Sequence, residues 1–173
     1  AVLGAGPIGI GIMKLAQIAG AIVIAIDMNE DRLKYAKEKI GVDYIVKARA
    51  EAVEEVSKIT NGDLCNAVFD ASGNKYALEA CPDYMSHGGR VVLVGLSKGE
   101  LVYSHPKIHA KEITLMCSRN ATTEDFEHVI GVLNQFPTES FITHSVDFTE
   151  MIENFDSWLD PKTGVIKAMV SFN

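Results

Sequence analysis

Gly4-Ala5-Gly6-Pro7-Ile8-Gly9, near the start of a 173-residue chain, is the stretch whose reading decides the fold. Its glycines have the spacing GxGxxG. The residues before it, Ala1-Val2-Leu3, are apolar and strand-like, and those after it repeat apolar side chains at helical spacing to about residue 19. A glycine run between a strand and a helix predicts the first turn of a βαβ unit that cradles a dinucleotide. Gly4 permits the tight turn, Gly6 lets a pyrophosphate approach the backbone, and Gly9 lets the helix pack close to the strand. The helix N-terminus adds unpaired N–H groups and a partial positive charge for the anion. Pro7 suits the first helical position, where a missing N–H matters little. It also removes one donor to phosphate, which leaves Ile8 as the main backbone donor. Without a cofactor, the same run would be a glycine-rich turn with only a packing role.

Outward from this run, apolar stretches of strand length alternate with helical patterns. Strands are predicted near 1–4, 22–26, 43–46, 66–70, 90–95 and 112–117, with helices over 7–19, 30–40, 50–60 and 75–85. The alternation predicts an α/β fold: a doubly wound, parallel, six-stranded Rossmann sheet with right-handed crossovers. A further helix over 123–135 has Thr122 or Thr123 as its N-cap and ends before Pro137. The pattern then changes to an extended piece at 141–143, a helix over 149–159, a turn at 161–164 and a final strand over 165–172. This tail is not another βαβ unit, so its apolar faces are expected to belong to a neighbouring body. The predicted division is a Rossmann domain over 1–137 and a C-terminal segment over 138–173.

The second strand ends in Asp27, at about the 20-residue distance from the glycines that the dinucleotide fingerprint requires. A carboxylate there accepts hydrogen bonds from the adenosine ribose hydroxyls. It also repels a 2′-phosphate, by up to roughly 4 kcal/mol per pair of unit charges in contact at an intermediate dielectric. NAD is therefore expected over NADP. Arg32 could attract a phosphate, but beside Asp27 it is expected to stack over adenine or line the ribose edge. The structural alternative is that Asp27 caps the following helix.

The net charge of −7 argues against a nucleic-acid partner, which needs an excess of lysine and arginine. The longest apolar runs, such as 21–26, are far shorter than the roughly 20 residues of a membrane span, so no membrane partner is expected. Cys65, Cys81 and Cys117 lie far apart without CxxC pairing, which predicts neither disulfides nor a zinc cluster but buried thiols in a reducing, cytoplasmic compartment. The five histidines show no metal-ligand pairing. Tyr35-Ala36-Lys37-Glu38-Lys39 has YxxxK spacing, but it sits on the helix after the second strand, away from where short-chain dehydrogenase chemistry belongs. The chain opens inside a strand and without Met, and is read as a piece of a longer protein.

In the second half of the sheet, Phe69-Asp70-Ala71-Ser72-Gly73 and Gly88-Gly89-Arg90-Val91-Val92-Leu93-Val94-Gly95 put small residues at the carboxyl ends of strands four and five, leaving open a crevice for nicotinamide. Taken in order, the glycine run, Asp27 with Arg32, Ala71-Ser72-Gly73, Gly88-Gly89-Arg90 and Val94-Gly95 resemble the zinc-type medium-chain dehydrogenase/reductases of the alcohol dehydrogenase superfamily. The resemblance is strongest to the sorbitol and threonine dehydrogenase-like branch. The tail, with Ile142-Thr143-His144 and Gly164-Val165-Ile166-Lys167, is similar too, most of all to bacterial sugar-acid and starvation-sensing dehydrogenases, so the likeness spans nearly the whole chain.

That resemblance implies that Val94 and Gly95 flank the nicotinamide ring, that Ser72 and Gly73 line its ribose side, and that Cys117-Ser118-Arg119 offers backbone groups to the carboxamide. It implies that the zinc ligands and proton relay lie upstream of the glycine run, so this chain holds no catalytic residue and no metal ligand. The implied activity is hydride transfer between NAD and a small secondary alcohol (a polyol, sugar acid or amino alcohol), zinc-assisted in the full-length enzyme, with this chain alone inactive. The implied assembly is a homodimer or homotetramer, joined where short strands around Leu101-Val102-Tyr103 and Ile113-Thr114-Leu115 continue one sheet. The rival reading is a stand-alone NAD-sensing regulatory module, which would have no need of the tail.

Overall fold

In the computed structural model, which describes residues 1–172, the first six strands are β1 (Val2–Leu3), β2 (Ile24–Asp27), β3 (Tyr44–Lys47), β4 (Cys65–Asp70), β5 (Met85–Leu93) and β6 (Thr114–Cys117). They form one parallel sheet in the order β3-β2-β1-β4-β5-β6. The chain winds outward from β1 to β3, then returns to the other side of β1 to lay down β4 to β6. This is the doubly wound sheet the sequence predicts, with its switch point at the carboxyl end of β1, where Gly4 leaves the strand. Helices α1 (Pro7–Ile18), α2 (Glu30–Tyr35), α3 (Ala52–Ile59), α4 (Lys75–Ala80) and α5 (His105–Ala110) lie between the strands.

The core follows from the apolar periods. Three successive residues of β2, Ile24, Ala25 and Ile26, are buried, as in a central strand covered on both faces. Helix α1 buries Ile10 and Met13, and α3 buries Ala52 and Val56, each pair at helical spacing. Each large buried side chain contributes roughly 1.5–3 kcal/mol.

The structure corrects several predicted boundaries. The helix predicted over 30–40 is α-helical only to Tyr35. It continues as a π turn, Ala36–Ile40, closed by Gly41 in the left-handed region (φ 79°), whose N–H donates to the Ala36 carbonyl at 3.0 Å. The wider turn lets Ile40 and Val42 both bury. The helix predicted to residue 85 stops at Ala80, because Pro82 cannot donate to the helical ladder; a 3₁₀ turn, Cys81–Tyr84, leads straight into β5. Strand β5 starts at Met85, five residues before the predicted 90. It runs through Gly88-Gly89, where the register against β4 shifts between Cys65 and Ala67.

The chain divides into two units, Ala1–Thr123 and the residues from Glu124 onward. Helix α6 (Thr123–Val132) starts at this boundary and ends in a 3₁₀ turn, Leu133–Gln135. In the second unit, the extended piece predicted at 141–143 is displaced. Residues Thr138–Phe141 form a helical turn, α7, after Pro137, and the strand is β7 (His144–Asp147). It pairs in parallel with β8 (Ala168–Ser171), a shorter strand than the predicted 165–172. The Thr143 hydroxyl oxygen accepts from the N–H of Ile166 at 3.0 Å and fixes the register of this pair. Between the two strands lies α8 (Met151–Leu159), preceded by a turn whose Thr149 N–H donates to the Asp147 carboxylate at 3.0 Å. Among the described residues no helix is long and apolar enough to cross a membrane.

Two sequence expectations about the sheet edge fail. No strand forms at 101–103. There the Val102 N–H donates to the Glu79 carboxylate at 2.9 Å and the Tyr103 hydroxyl donates to the Leu78 carbonyl at 3.3 Å, which ties the segment to α4. Cys117 is not buried, because it ends β6, an edge strand exposed at every residue. Cys65 and Cys81 are buried as expected. Burial, with the nearby Asp70 charge adding to it, pushes the Cys81 thiol up to about 12. Because thiol reagents attack the thiolate, a raised pKa keeps Cys81 protonated and inert at pH 8 while the chain is folded. Ellman's reagent at pH 8 is expected to titrate Cys117 rapidly, and Cys65 and Cys81 only after denaturation. Three rapidly titrating thiols in the native chain would contradict this packing.

Candidate cofactor site

The glycine run does three different things. Gly4 has φ +99°, its N–H donates to the Ile26 carbonyl at 2.8 Å, and a Cβ there would lie 2.8 Å from the Ser72 nitrogen. At Gly9 a Cβ would lie 1.8 Å from the Gly4 carbonyl oxygen, so only glycine lets α1 approach this closely. At Gly6 a Cβ would meet nothing nearer than Arg32 Nη1 at 3.8 Å. Gly4 and Gly9 therefore serve packing, and Gly6 leaves an open ledge over the start of α1.

That ledge faces unpaired donors. Gly6 is the N-cap of α1 and supplies no side chain to it, Pro7 is the first helical residue, and the first turn carries no acidic side chain. The first helical bond runs from the Ile10 N–H to the Gly6 carbonyl at 2.9 Å, so the N–H groups of Ile8 and Gly9 precede the ladder.

Asp27 closes β2 beside the ledge. Its Oδ2 accepts the Ala5 N–H at 2.6 Å and its Oδ1 accepts the Asn29 N–H at 2.8 Å. The cap of α2 is Asn29, which accepts from the N–H groups of Asp31 at 2.9 Å and Arg32 at 3.2 Å, so the capping role considered for Asp27 belongs to its neighbour. Each Asp27 oxygen keeps acceptor capacity for a further donor. Arg32 sits with a guanidinium nitrogen beside Gly6, toward the phosphate ledge, a placement its sequence position did not give.

A cavity of about 540 Å³ joins these parts. Of the sequence-predicted residues, Gly4, Gly6, Pro7, Asp27, Arg32 and Ser72 line it; Ile8, Gly9, Gly73, Val94, Gly95 and Ser118 do not. Arg49, Tyr76 and Met28, which sequence reasoning did not single out, also line it. Arg49 is engaged by Glu55 and, at 3.6 Å, by Glu51.

A second cluster lies at the ends of β4 and β5. Gly73 has φ +65°, and a Cβ there would lie 3.0 Å from the Leu96 carbonyl oxygen. The N–H groups of Val94 and Gly95 both donate to the Asp70 carbonyl, at 3.0 and 2.9 Å. The Ser118 N–H donates to the Leu93 carbonyl at 3.0 Å, so that donor is already occupied and the Ser118 carbonyl is what the strand end can offer. The residue missed here is Asp70, fully buried in the middle of the cluster. Its sequence signal was available: like Asp27, it is an acid ending an apolar strand, and the small residues Ala71-Ser72-Gly73 follow it.

Among the described residues no three His, Cys, Asp or Glu side chains are grouped so as to hold a metal ion.

Comparison with known proteins bears on this geometry. Residues 7–135 match the family model for zinc-binding dehydrogenases. The chain is 33% identical to L-galactonate-5-dehydrogenase of Escherichia coli K12, over 99% of this chain and 51% of that protein. It is 32% identical to sorbitol dehydrogenase of Halalkalibacterium halodurans, over 86% of this chain and 45% of that protein. Among solved structures, a short chain alcohol dehydrogenase from E. coli CFT073 complexed with NADH superposes with a TM-score of 0.87 at 28% identity, over 99% of this chain and 51% of that one. The chain thus spans about half the length of the relatives it matches. These relatives are dehydrogenases by name and lend no support to a stand-alone regulatory module.

Proposed function

The chain belongs to the zinc-binding dehydrogenase family, and from that premise we propose that it holds NAD for an oxidoreductase acting on a secondary alcohol. The observation that carries this reading is the shared cavity that the open ledge at Gly6, Arg32 and Asp27 all line. A pyrophosphate over Gly6 would accept from the N–H groups of Ile8 and Gly9 and lie beside Arg32, satisfying donors that are otherwise unpaired. The free acceptor sites of Asp27 would take the adenosine ribose hydroxyls. Ser72 and Gly73 would line the nicotinamide ribose, with Val94, Gly95 and the Ser118 carbonyl around the ring and its carboxamide. NAD, when bound, supplies the hydride acceptor; the chain's part is to bind, orient and exclude water.

The zinc that the family name implies does not fit the residues described here, which offer no ligand group, and no step is derived through it. We place its ligands and the proton relay in the half of the enzyme that this chain does not span. The segment 138–173 belongs, in this reading, to the body that carries them. The relatives' names favour a polyol or sugar acid as substrate. The exposed edge of β6 suits a homodimer or homotetramer.

Isothermal calorimetry on the chain tests the reading. NADH is expected to bind at least about tenfold more tightly than NADPH, a difference of 1.4 kcal/mol. The chain alone is expected not to oxidise polyols with or without added zinc. Absence of NADH binding would defeat the assignment, and turnover would mean that the catalytic groups lie in this chain.

A further inference from the structure

Asp70 is fully buried, yet its atoms bond to two turns at once, 72–73 and 94–95. Its Oδ1 accepts the Ser72 hydroxyl at 2.6 Å and its Oδ2 accepts the Gly73 N–H at 3.0 Å, so both oxygens hold the turn after β4. Its own carbonyl accepts the N–H groups of Val94 and Gly95, which holds the turn after β5. The fit leaves no slack: a Cβ on Gly95 would come within 2.4 Å of Asp70 Oδ2 and 2.3 Å of the Gly73 nitrogen. Ser72 is itself pinned from the other side, where its hydroxyl oxygen accepts the Asn74 N–H at 3.1 Å. The adenosine side of the cavity, by contrast, is organised by Asp27, Ala5 and Asn29, with which Asp70 shares no hydrogen bond.

A buried carboxylate is expensive to maintain unless its oxygens are hydrogen-bonded, and here the donors are supplied by the turn itself. For core packing alone an apolar residue would serve as well, since replacing a buried polar pair by well-packed apolar groups is often neutral or stabilising. We propose that Asp70 is a positioning residue that sets the spacing between the 72–73 turn and the 94–95 turn, and so governs the nicotinamide half of the cofactor more than the ADP half. The inference rests on the cofactor reading above and adds to it a division of labour between two acids, Asp27 for the nucleotide and Asp70 for the reactive ring.

Asp70→Asn tests it. The amide keeps the volume and can still accept the Gly73 N–H, but it presents an NH2 group to the Ser72 hydroxyl, so the charge and the bond donated by that hydroxyl are lost. NADH and ADP affinities are measured by calorimetry on wild type and variant, with the emission of bound NADH as a direct report on the ring's surroundings. Circular dichroism establishes that both are folded. The expected result is about tenfold weaker NADH binding, a changed emission maximum, and ADP affinity within about twofold of wild type, in line with the loss of a single hydrogen bond to a charged group. Equal weakening of both ligands, or no change in either, overturns the positioning role while leaving the cofactor reading intact. Failure of wild type to bind either ligand overturns both. If Asp70→Asn does not fold, Ser72→Ala removes the hydroxyl that Asp70 Oδ1 accepts and leaves the acid held by the Gly73 N–H. It should show the same selective loss to a smaller degree, and a uniform loss there refutes the proposal.

Discussion

Gly9→Ala is expected to lower the thermal midpoint of the chain by about 6–12 °C, whereas Gly11→Ala, two residues along the same helix, is expected to raise it. Alanine is intrinsically the better helix former by roughly 1 kcal/mol, so on propensity alone both changes would stabilise α1. The surroundings decide the sign. A Cβ at Gly11 meets nothing within 4 Å, so the propensity gain stands alone. A Cβ at Gly9 would lie 1.8 Å from the Gly4 carbonyl oxygen and 2.9 Å from the Gly4 carbonyl carbon, both backbone atoms that no rotamer change can move aside. Relief requires α1 to retreat from the turn. Overpacking of this kind costs about 1–3 kcal/mol, and a backbone-on-backbone clash belongs at the upper end. For a chain of this length each kcal/mol corresponds to roughly 2–4 °C. The same retreat carries the Ile8 N–H off the ledge, so NADH binding should fall with stability. Differential scanning calorimetry on the two variants settles the matter: a Gly9→Ala midpoint at or above wild type would mean that helix and strand are not packed as closely as described.

This contrast also shows what could be read from the sequence and what could not. The glycine run, the acid closing the second strand and the alternation of strand and helix periods are local patterns, and they located the sheet, its switch point and Asp27. The π turn at Ala36–Ile40 escaped because its residues keep a helical apolar rhythm; the widening shows only in the hydrogen bond from Gly41 to Ala36. The early start of β5 escaped because Gly88-Gly89 reads as a turn, whereas in the sheet it absorbs a register shift. The sequence predicts Arg32 over adenine or at the ribose edge, but its guanidinium lies beside Gly6, a placement set by tertiary packing. Asp70 is the most instructive case. Its partners Ser72 and Gly73 are local, but its importance depends on Gly95, more than twenty residues away, pressing against the same carboxylate.

Asp27→Ala is expected to weaken NADH binding by about 10–100-fold while leaving NADPH nearly unaffected or tighter, so that the preference between the two collapses. Two effects act together. Loss of hydrogen bonds from the ribose hydroxyls to a charged acceptor removes roughly 1.5–3 kcal/mol from NADH. For NADPH the same carboxylate is a repulsive neighbour of the 2′-phosphate, and its removal relieves a penalty that offsets whatever contacts are lost. The geometry adds a complication, because Oδ2 of Asp27 also accepts the Ala5 N–H at 2.6 Å and so braces the phosphate turn for either nucleotide. Asp27→Asn separates the two roles. Its carbonyl oxygen can still receive the Ala5 N–H, but the charge is gone, so it should lose the discrimination while retaining more of the absolute affinity than alanine does. The quantity to follow is the ratio of NADH to NADPH dissociation constants at fixed ionic strength, since repulsion from an exposed phosphate is screened by salt. If both variants weakened the two nucleotides by the same factor, Asp27 would be a brace for the glycine turn and nothing more, and the choice of cofactor would have to come from Arg32 or Arg49, which line the same cavity.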